Sequence, residues 1–311
     1  MVDNGLIEKY FKNKDLSEHG ATFHVDKITS AVSKHVIEKS DSKVENFYFK
    51  SSIKENSDAE ILLSQVYAKA GFNTAIYLPV TMTSSEGGML KGVISNDVST
   101  VEKTIDPKMQ FLKFYGATPN IEKTLSAAEY GPRLILPYEI NQYTAQIAND
   151  NLGFSYDCIR QILKMRLFDV GALNEDRHFN NFFYKFDAEG KADSIALIDH
   201  GYSYFGYKDY ERNAHDIFYS CTQYYNDFLT PRDFILHIRN KSRNGMIDNF
   251  KHNESMQEYI TPRELVETLE QVDVKATARD IYDTIGYKVG EEYVDTIAES
   301  FENLAEEVSE A

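Results

Sequence analysis

The sequence predicts an α+β protein with a β-rich first part over residues 1–97 and a larger, mostly helical second part over residues 98–311. Runs of β-branched and aromatic residues separated by turn formers predict the first part, and apolar residues at helical spacing predict the second. The chain has 311 residues, 42% of them hydrophobic, which suffices for two lobes with a sizeable core. We therefore expect a cleft between the two parts, where ligands commonly bind.

Short strands are predicted throughout the first part. The segment 44–50 follows the turn-forming residues Ser40-Asp41-Ser42 and predicts a hairpin that ends at Lys50. Further strands are predicted over 76–80 and 92–94, with a polar turn over 84–88.

Helical signals begin at Ser57, which forms a capping-box pattern with Glu60. Apolar residues then recur at helical spacing until Gly71, so we expect a helix over 57–70. The same spacing predicts helices over 107–115, 138–150, 155–170, 213–228, 231–239, 262–272 and 275–285, followed by a solvated amphipathic helix in the acidic tail from Gly290.

Charge and cysteine content exclude several classes of protein. The chain carries 33 basic against 49 acidic residues, a formal charge of −16, which opposes binding to nucleic acid and to anionic lipid. Its two cysteines, Cys158 and Cys221, provide neither a disulfide framework nor a zinc-ribbon spacing. No segment approaches the roughly 18 apolar residues of a membrane span, and the amino terminus has no apolar signal region. These features predict a cytoplasmic protein without nucleic-acid or membrane partners.

Two motifs in the second part carry the chemistry. D-R-H-x-x-N runs from Asp176 to Asn181, and I-D-H-G surrounds Asp199. If the intervening turn over 187–193 is centred on Gly190, Asn181 and Asp199 project at the same end of a hairpin. An amide oxygen and a carboxylate beside Asp176 form an all-oxygen site, which Mg²⁺ prefers and which leaves positions open for phosphate oxygens.

These motifs resemble the catalytic loop and metal-binding turn of HipA-like bacterial kinases and of phosphatidylinositol 3-/4-kinases. The resemblance implies a bilobal protein kinase-like fold with a β-rich N-lobe and a mostly helical C-lobe. It implies that Asp176 is the catalytic base or hydroxyl-orienting residue and that Arg177 and His178 stabilise the catalytic loop. Asn181 and Asp199 would be the metal ligands. The turn reads D-H-G where protein kinases commonly have D-F-G, a departure that keeps the aspartate.

HipA-like kinases also carry a strand lysine paired with a helix glutamate, and Lys50 with Glu60 fits that pattern. A lysine ammonium neutralises phosphate charge, and a buried glutamate fixes where the lysine points. Three alternatives remain open. Lys54 competes for the lysine role, Lys50 is instead an edge-strand lysine that opposes aggregation, or Glu60 is only the capping partner of Ser57.

The stretch 27–34 resembles the phosphate-covering loop of these kinases, which tends to carry a short Ser/Gly/Ala run before a lysine. The resemblance implies nucleotide binding by Ser30, Ser33 and Lys34, and the two serines are candidates for modification. The stretch lacks the glycine that lets a backbone approach phosphate closely. That absence favours a rival interpretation, a pseudokinase that acts as a binding module.

The predicted function is transfer of the γ-phosphoryl group of ATP, with Mg²⁺, to a Ser or Thr hydroxyl of a protein, with autophosphorylation included. Asn96 and Asp97, where the two parts meet, are assigned to the same nucleotide site. A phosphoinositide-type lipid kinase is a further alternative, which the net charge opposes. The chain is shorter than many HipA-like toxins, so an antitoxin-like partner is left open without support in the sequence.

Overall fold

The computed structural model describes residues 22–27, 32–38, 44–52, 54–83, 89–98, 104–105, 154–174, 177, 181–187, 191–201, 203, 247, 251–252 and 254–309. The strands within these ranges are β1 Thr22–Lys27, β2 Val32–Glu38, β3 Val44–Ser51, β4 Tyr77–Thr83, β5 Met89–Asn96, β6 Thr104–Ile105, β7 Phe182–Phe186 and β8 Ala192–Leu197. The helices are α1 Lys54–Lys69, α2 Tyr156–Gly171, α3 Glu254–Gln257, α4 Pro262–Glu270, α5 Val274–Ile285 and α6 Glu291–Ser309. This mixture of sheet and helix confirms the predicted α+β class. The domain boundary at 97/98 stays a prediction.

A five-stranded antiparallel sheet has the order β1-β2-β3-β5-β4. It confirms the predicted hairpin, because β2 pairs with β3 from Val32 opposite Lys50 to Glu38 opposite Val44. The strands predicted over 76–80 and 92–94 are present as the longer β4 and β5. The turn predicted over 84–88 lies outside the described residues.

The predicted phosphate loop is shorter than expected. β1 ends at Lys27 and β2 begins at Val32, so Ser33 and Lys34 are paired strand residues rather than loop residues. Ser33 lies opposite Lys27, and Lys34 lies opposite Asp26. The prediction was wrong there because β-branched residues extend the strand pattern up to the connection. Ser30 lies outside the described residues.

Helix α1 begins three residues earlier than predicted, at Lys54. The Ser57 hydroxyl is 2.7 Å from that of Ser52, and the Glu60 carboxylate bonds to Lys50 and to His200 N–H. Lys54 and Asp58 pair across one turn, which supports the added residues. The helix ends before Gly71, whose φ of +85° is readily adopted by glycine. Its centre is fully buried, at Ile61, Leu62, Leu63, Val66 and Tyr67.

Helix α2 confirms the helix predicted over 155–170, with Ser155 as its N-cap. A three-stranded sheet of order β6-β7-β8 packs against it. The segment that follows α1 hydrogen-bonds to β8, since Leu197 N–H donates to Asn73 O over 2.9 Å and Ala75 N–H donates to Leu197 O over 2.9 Å. These bonds bring the end of the β7–β8 hairpin to α1.

The hairpin register differs by one residue from the prediction. The pairing shifts between Lys185 and Phe186, so Phe182 lies opposite Leu197, and Ile198 N–H donates to Asn181 O over 3.1 Å. Asn181 therefore aligns with Ile198 rather than with Asp199. Next to the turn the offset is two residues, since Phe186 pairs with Ala192 and Asp187 N–H donates to Lys191 O over 3.0 Å. The bulge beside Lys185 adds one residue to one strand and so removes one of the two. Asn181 and Asp199 still lie at the same end of the hairpin.

The C-terminal helices confirm the predictions for 262–272, 275–285 and the acidic tail. The tail helix α6 is amphipathic, with an exposed acidic side and an apolar side buried against α2 and α4. Phe301 of α6 meets Phe168 of α2 edge to face, with ring centroids 5.5 Å apart. None of the helices in the described ranges is long and apolar enough to cross a bilayer. The helices predicted over 107–115, 138–150, 213–228 and 231–239 lie outside the described residues.

Candidate functional site

Lys50, near the end of β3, contacts two carboxylates. Its Nζ lies 2.8 Å from Glu60 Oε1 on α1 and 2.6 Å from Asp199 Oδ1, just beyond β8. The Glu60 side chain is fully buried, whereas 32% of the Asp199 side chain is exposed. A strand, a helix and a hairpin end thus meet at one ammonium group.

Burial and charge act in opposite directions on these groups. Burial would lower the pKa of Lys50, but the carboxylates of Glu60 and Asp199 outweigh it and raise that pKa above its usual value. Burial raises the pKa of Glu60 to about 7, although the Lys50 ammonium opposes the shift. Burial also opposes ionisation of Asp199, yet the Lys50 ammonium lowers the pKa of this carboxyl. Asp199 is therefore the ionised, partly exposed member of the group.

Glu60 also holds the backbone beyond Asp199. Its Oε2 accepts a 2.7 Å hydrogen bond from His200 N–H. A Cβ at Gly201 would lie only 2.9 Å from Glu60 Oε1, so the glycine allows this close approach. Asp199 has a φ of 55°, and its N–H donates to the Tyr77 hydroxyl over 3.0 Å. Such a left-handed conformation is uncommon for a residue other than glycine and depends on surrounding bonds.

Two of the three alternatives, both of which concern the lysine, find no support in these contacts. Lys54 is 59% exposed and pairs with Asp58 rather than with Glu60. Lys50 lies on β3, which is an inner strand of the sheet, so it is not an edge lysine.

Arg177, the second residue of the D-R-H-x-x-N motif, contacts the end of the hairpin. Its buried guanidinium donates from Nη1 to Asn181 O and to Ile198 O, each over 2.7 Å, at opposite strands of the hairpin end. Its Nε lies 3.2 Å from Asp169 Oδ1 on α2. Asp169 also accepts from the Tyr67 hydroxyl over 2.6 Å. That Arg177 stabilises a catalytic loop stays a prediction. Asp176 and His178 lie outside the described residues.

His200 is buried between α1 and the hairpin. Its ring stacks on Tyr67 with centroids 4.9 Å apart. Nδ1 lies 3.0 Å from Arg177 Nη2, and Nε2 lies 2.9 Å from Thr74 Oγ1. Because a guanidinium only donates, Nδ1 accepts, and the ring proton is on Nε2. Burial and the neighbouring Arg177 charge hold the pKa of His200 well below its usual value, so the imidazole is neutral.

Other predicted residues lie further along the sheet. Asn96, at the end of β5, accepts a 2.9 Å bond from Ile76 N–H through Oδ1. Asp97 follows it and accepts from the Tyr48 hydroxyl over 3.3 Å. The β-pairing puts Lys34 opposite Tyr48, two residues before Lys50 in β3. The assignment of these residues to nucleotide binding stays a prediction.

The oxygen donors fit a hard cation such as Mg²⁺. Asp199 supplies a partly exposed, ionised carboxylate, and the amide residue Asn181 lies at the same hairpin end. No cluster of three or more His, Cys, Asp or Glu side chains suited to a metal occurs in the part of the chain that the structure describes. A magnesium ion held by Asp199 and Asn181 would keep positions for water and phosphate oxygens, as this ion usually does.

Comparison with known proteins finds similarity at the level of structure and not of sequence. No protein-family model matches the chain, and no curated protein matches its sequence. The chain is similar to the crystal structure of a Helicobacter pylori proinflammatory kinase, CtkA, with a TM-score of 0.45 and 12% sequence identity over 88% of this chain and 90% of that one.

Four residues of the site were missed by the sequence motifs. Tyr67, Thr74 and Tyr77 touch His200 or Asp199, and Asp169 anchors Arg177. An acidic residue at helical spacing from the apolar residues Ile162 and Met165 was a usable signal for Asp169. The other three residues are two tyrosines and a threonine, types that are common in strands and give no comparable signal.

Proposed function

We propose that the protein is an ATP- and Mg²⁺-dependent phosphotransferase with a kinase-like arrangement of two lobes. The observation that carries this proposal is the Lys50 ammonium, shared between a buried helix glutamate and an aspartate at the end of a β-hairpin. A positive charge held beside a candidate metal ligand is suited to the phosphates of a nucleotide.

Each residue has a separate task in this proposal. Lys50 binds phosphate oxygens, and Glu60 fixes the position of the ammonium. A magnesium ion, held by Asp199 and Asn181, would supply neutralisation of the phosphate charge. Asp176 orients the acceptor hydroxyl and accepts its proton, while the acceptor oxygen bonds to the γ-phosphorus and the bond from that phosphorus to the ADP oxygen breaks.

A protein Ser or Thr hydroxyl is the acceptor we favour, in a HipA-like cytoplasmic bacterial kinase. A net charge of −16 opposes the approach to anionic lipid that a phosphoinositide kinase needs. The serines Ser30 and Ser33 near the connection between β1 and β2 are candidate acceptors for autophosphorylation.

A pseudokinase that binds without turnover is the second candidate. It is favoured by the residues 28–34, which contain no glycine to let the backbone approach a phosphate. Titration calorimetry with ATP, followed by an assay for γ-phosphoryl transfer, distinguishes the two candidates. Binding without transfer to protein, to lipid or to the chain's own serines would establish the pseudokinase.

The metal assignment is tested with Asp199→Asn, and Asp193→Asn, on the exposed part of β8, is the matched control. We expect ATP binding by the wild type to require Mg²⁺ strongly, and Asp199→Asn to abolish metal-dependent binding or transfer. The Asp193 variant should retain both. Undiminished transfer by Asp199→Asn would exclude Asp199 as a metal ligand.

The role of Asp176 is tested by separating binding from turnover. Asp176→Asn should keep nucleotide affinity and lower transfer by orders of magnitude. The reason is that the carboxylate orients and deprotonates the acceptor hydroxyl and does not bind the phosphates. An unchanged melting temperature excludes a folding defect. Transfer at the wild-type rate would remove Asp176 from the mechanism.

A further inference from the structure

The C-terminal helices contact the helix that carries Glu60. Asp58, on the first half of α1, has a buried side chain that accepts from the Tyr287 hydroxyl over 2.7 Å and from Gly290 N–H over 3.1 Å. Both donors belong to the connection between α5 and α6. Asp58 lies two residues before Glu60, and a helix moves as a stiff unit over so short a distance.

Lys54, at the start of α1, contacts both Asp58 and the connection between α5 and α6. Its Nζ lies 2.7 Å from Asp58 Oδ1 and donates to Lys288 O over 3.1 Å. It also lies 5.0 Å from the centre of the Tyr287 ring, within the range of a cation–π contact. The Asp58 carboxylate is thereby satisfied by an ammonium, a hydroxyl and a backbone N–H.

A second contact from this region reaches the chain that follows Asp199. The Tyr293 hydroxyl, in the first turn of α6, donates to Ser203 Oγ over 2.8 Å. Ser203 in turn donates to Ala172 O, just after α2. Ser203 follows Asp199 by four residues, so Tyr293 holds the chain just beyond the candidate metal ligand.

We propose that Asp58, Tyr287 and Tyr293 are positioning residues for the phosphate-binding group, and we name these three residues the C-terminal clamp. The clamp holds Glu60 through α1 and Asp199 through Ser203, and so sets where Lys50 points between them. This inference rests on the proposed function, because the group it positions is the one assigned to ATP.

The test compares Tyr287→Phe with Tyr282→Phe, which alters an exposed tyrosine in the last turn of α5. Two quantities are measured, namely the Kd for Mg·ATP by titration calorimetry and amide hydrogen exchange across 54–69. Loss of the Tyr287 hydroxyl should raise the Kd about 2- to 10-fold, the range expected for one hydrogen bond, and speed exchange in the first half of α1. The control should change neither quantity.

Positioning is separated from a loss of folded protein by measuring the folded fraction of each variant as well as its Kd. Partial unfolding raises the apparent Kd by the inverse of the folded fraction, so a raised Kd in a variant that urea denaturation shows to be almost fully folded reports positioning. Asp58→Asn keeps an oxygen acceptor for Tyr287, so its Kd should lie between those of the wild type and Asp58→Ala. Tyr293→Phe gives an independent variant if Tyr287→Phe does not fold, and it should raise the Kd as well.

The outcomes distinguish the inference from the function on which it rests. Wild-type Kd values in Tyr287→Phe and Tyr293→Phe would overturn the clamp and leave the phosphotransferase intact, as would unchanged exchange in α1. A wild-type protein that does not bind Mg·ATP would overturn the proposed function, and the positioning role would fall with it.

Discussion

At the scale of single residues, one ammonium serves two carboxylates with different surroundings. Glu60 is fully buried, and its second oxygen is occupied by His200 N–H, so it is suited to anchoring. Asp199 is partly exposed and ionised, so it is suited to contact with a ligand. The difference in burial separates the two roles although the side chains differ by one methylene.

The coupling between Lys50 and Glu60 leads to a prediction about their double variant. Lys50→Ala and Glu60→Ala should each weaken Mg·ATP binding and transfer, and the double variant should lose about 0.5–3 kcal/mol less than the sum, because the two side chains act through one contact. Calorimetry and transfer assays on the wild type, the two single variants and the double variant measure this difference from additivity.

The control for these variants is Lys91→Ala, which alters an exposed lysine of β5 and should leave Mg·ATP binding unchanged. Additive losses would mean that Glu60 does not act through Lys50. A complete loss with Lys54→Ala but not with Lys50→Ala would transfer the role to Lys54.

A second residue-scale prediction concerns pH and His200. Its pKa is held below the unfolded value of about 6.5, so the unfolded chain binds the additional proton first as pH falls. The contribution of His200 to stability is therefore present above that value and is lost below it. Urea unfolding between about pH 7.5 and about pH 5.5 should show a smaller loss of stability for His200→Gln than for the wild type.

An equal loss in the two proteins would contradict a buried neutral imidazole. His252→Gln, which removes an exposed imidazole, is the control for replacement of a histidine by glutamine as such.

At the scale of elements, α2 and α6 approach closely at Gly171. A Cβ there would lie 2.7 Å from Cδ1 of the Phe301 ring, closer than carbon atoms pack. Gly171→Ala should therefore destabilise the protein by about 1–3 kcal/mol, the usual cost of overpacking a core. Chemical denaturation measures this change.

The partner residue provides the check on that explanation. In a Phe301→Leu background the smaller side chain leaves space, so the cost of Gly171→Ala should fall. If Gly171→Ala lowers the free energy of unfolding equally in the wild type and in Phe301→Leu, the effect lies in α2 itself rather than in its contact with α6.

At the scale of the whole molecule, the excess of acidic residues determines which surfaces the protein can approach. A charge of −16 predicts no binding to vesicles that contain phosphatidylserine, at about 0.15 M salt, beyond that seen with neutral vesicles. Flotation of both vesicle types with the protein measures this. Preferential binding to the anionic vesicles would instead favour a lipid acceptor.

Local sequence signals determined much of the secondary structure. Alternating residues in 44–50 predicted β3, and helical spacing predicted α1, α2, α4 and α5 to within a few residues. The spacing of the two motifs also predicted that Asn181 and Asp199 share one hairpin end, because a hairpin brings residues equally distant from its turn together. These features depend on neighbours in the chain, which a sequence displays directly.

Tertiary structure decided what the sequence left open. Ser57 and Glu60 fit a capping box, yet Glu60 bonds to Lys50 and to the backbone of His200, 140 residues away. The same applies to Asp58, whose partners Tyr287 and Gly290 lie more than 200 residues along the chain. Burial makes the difference, because a carboxylate removed from water must find charged or hydrogen-bonding partners wherever the fold brings them. Those partners come from separate elements, so only the packed structure identifies them.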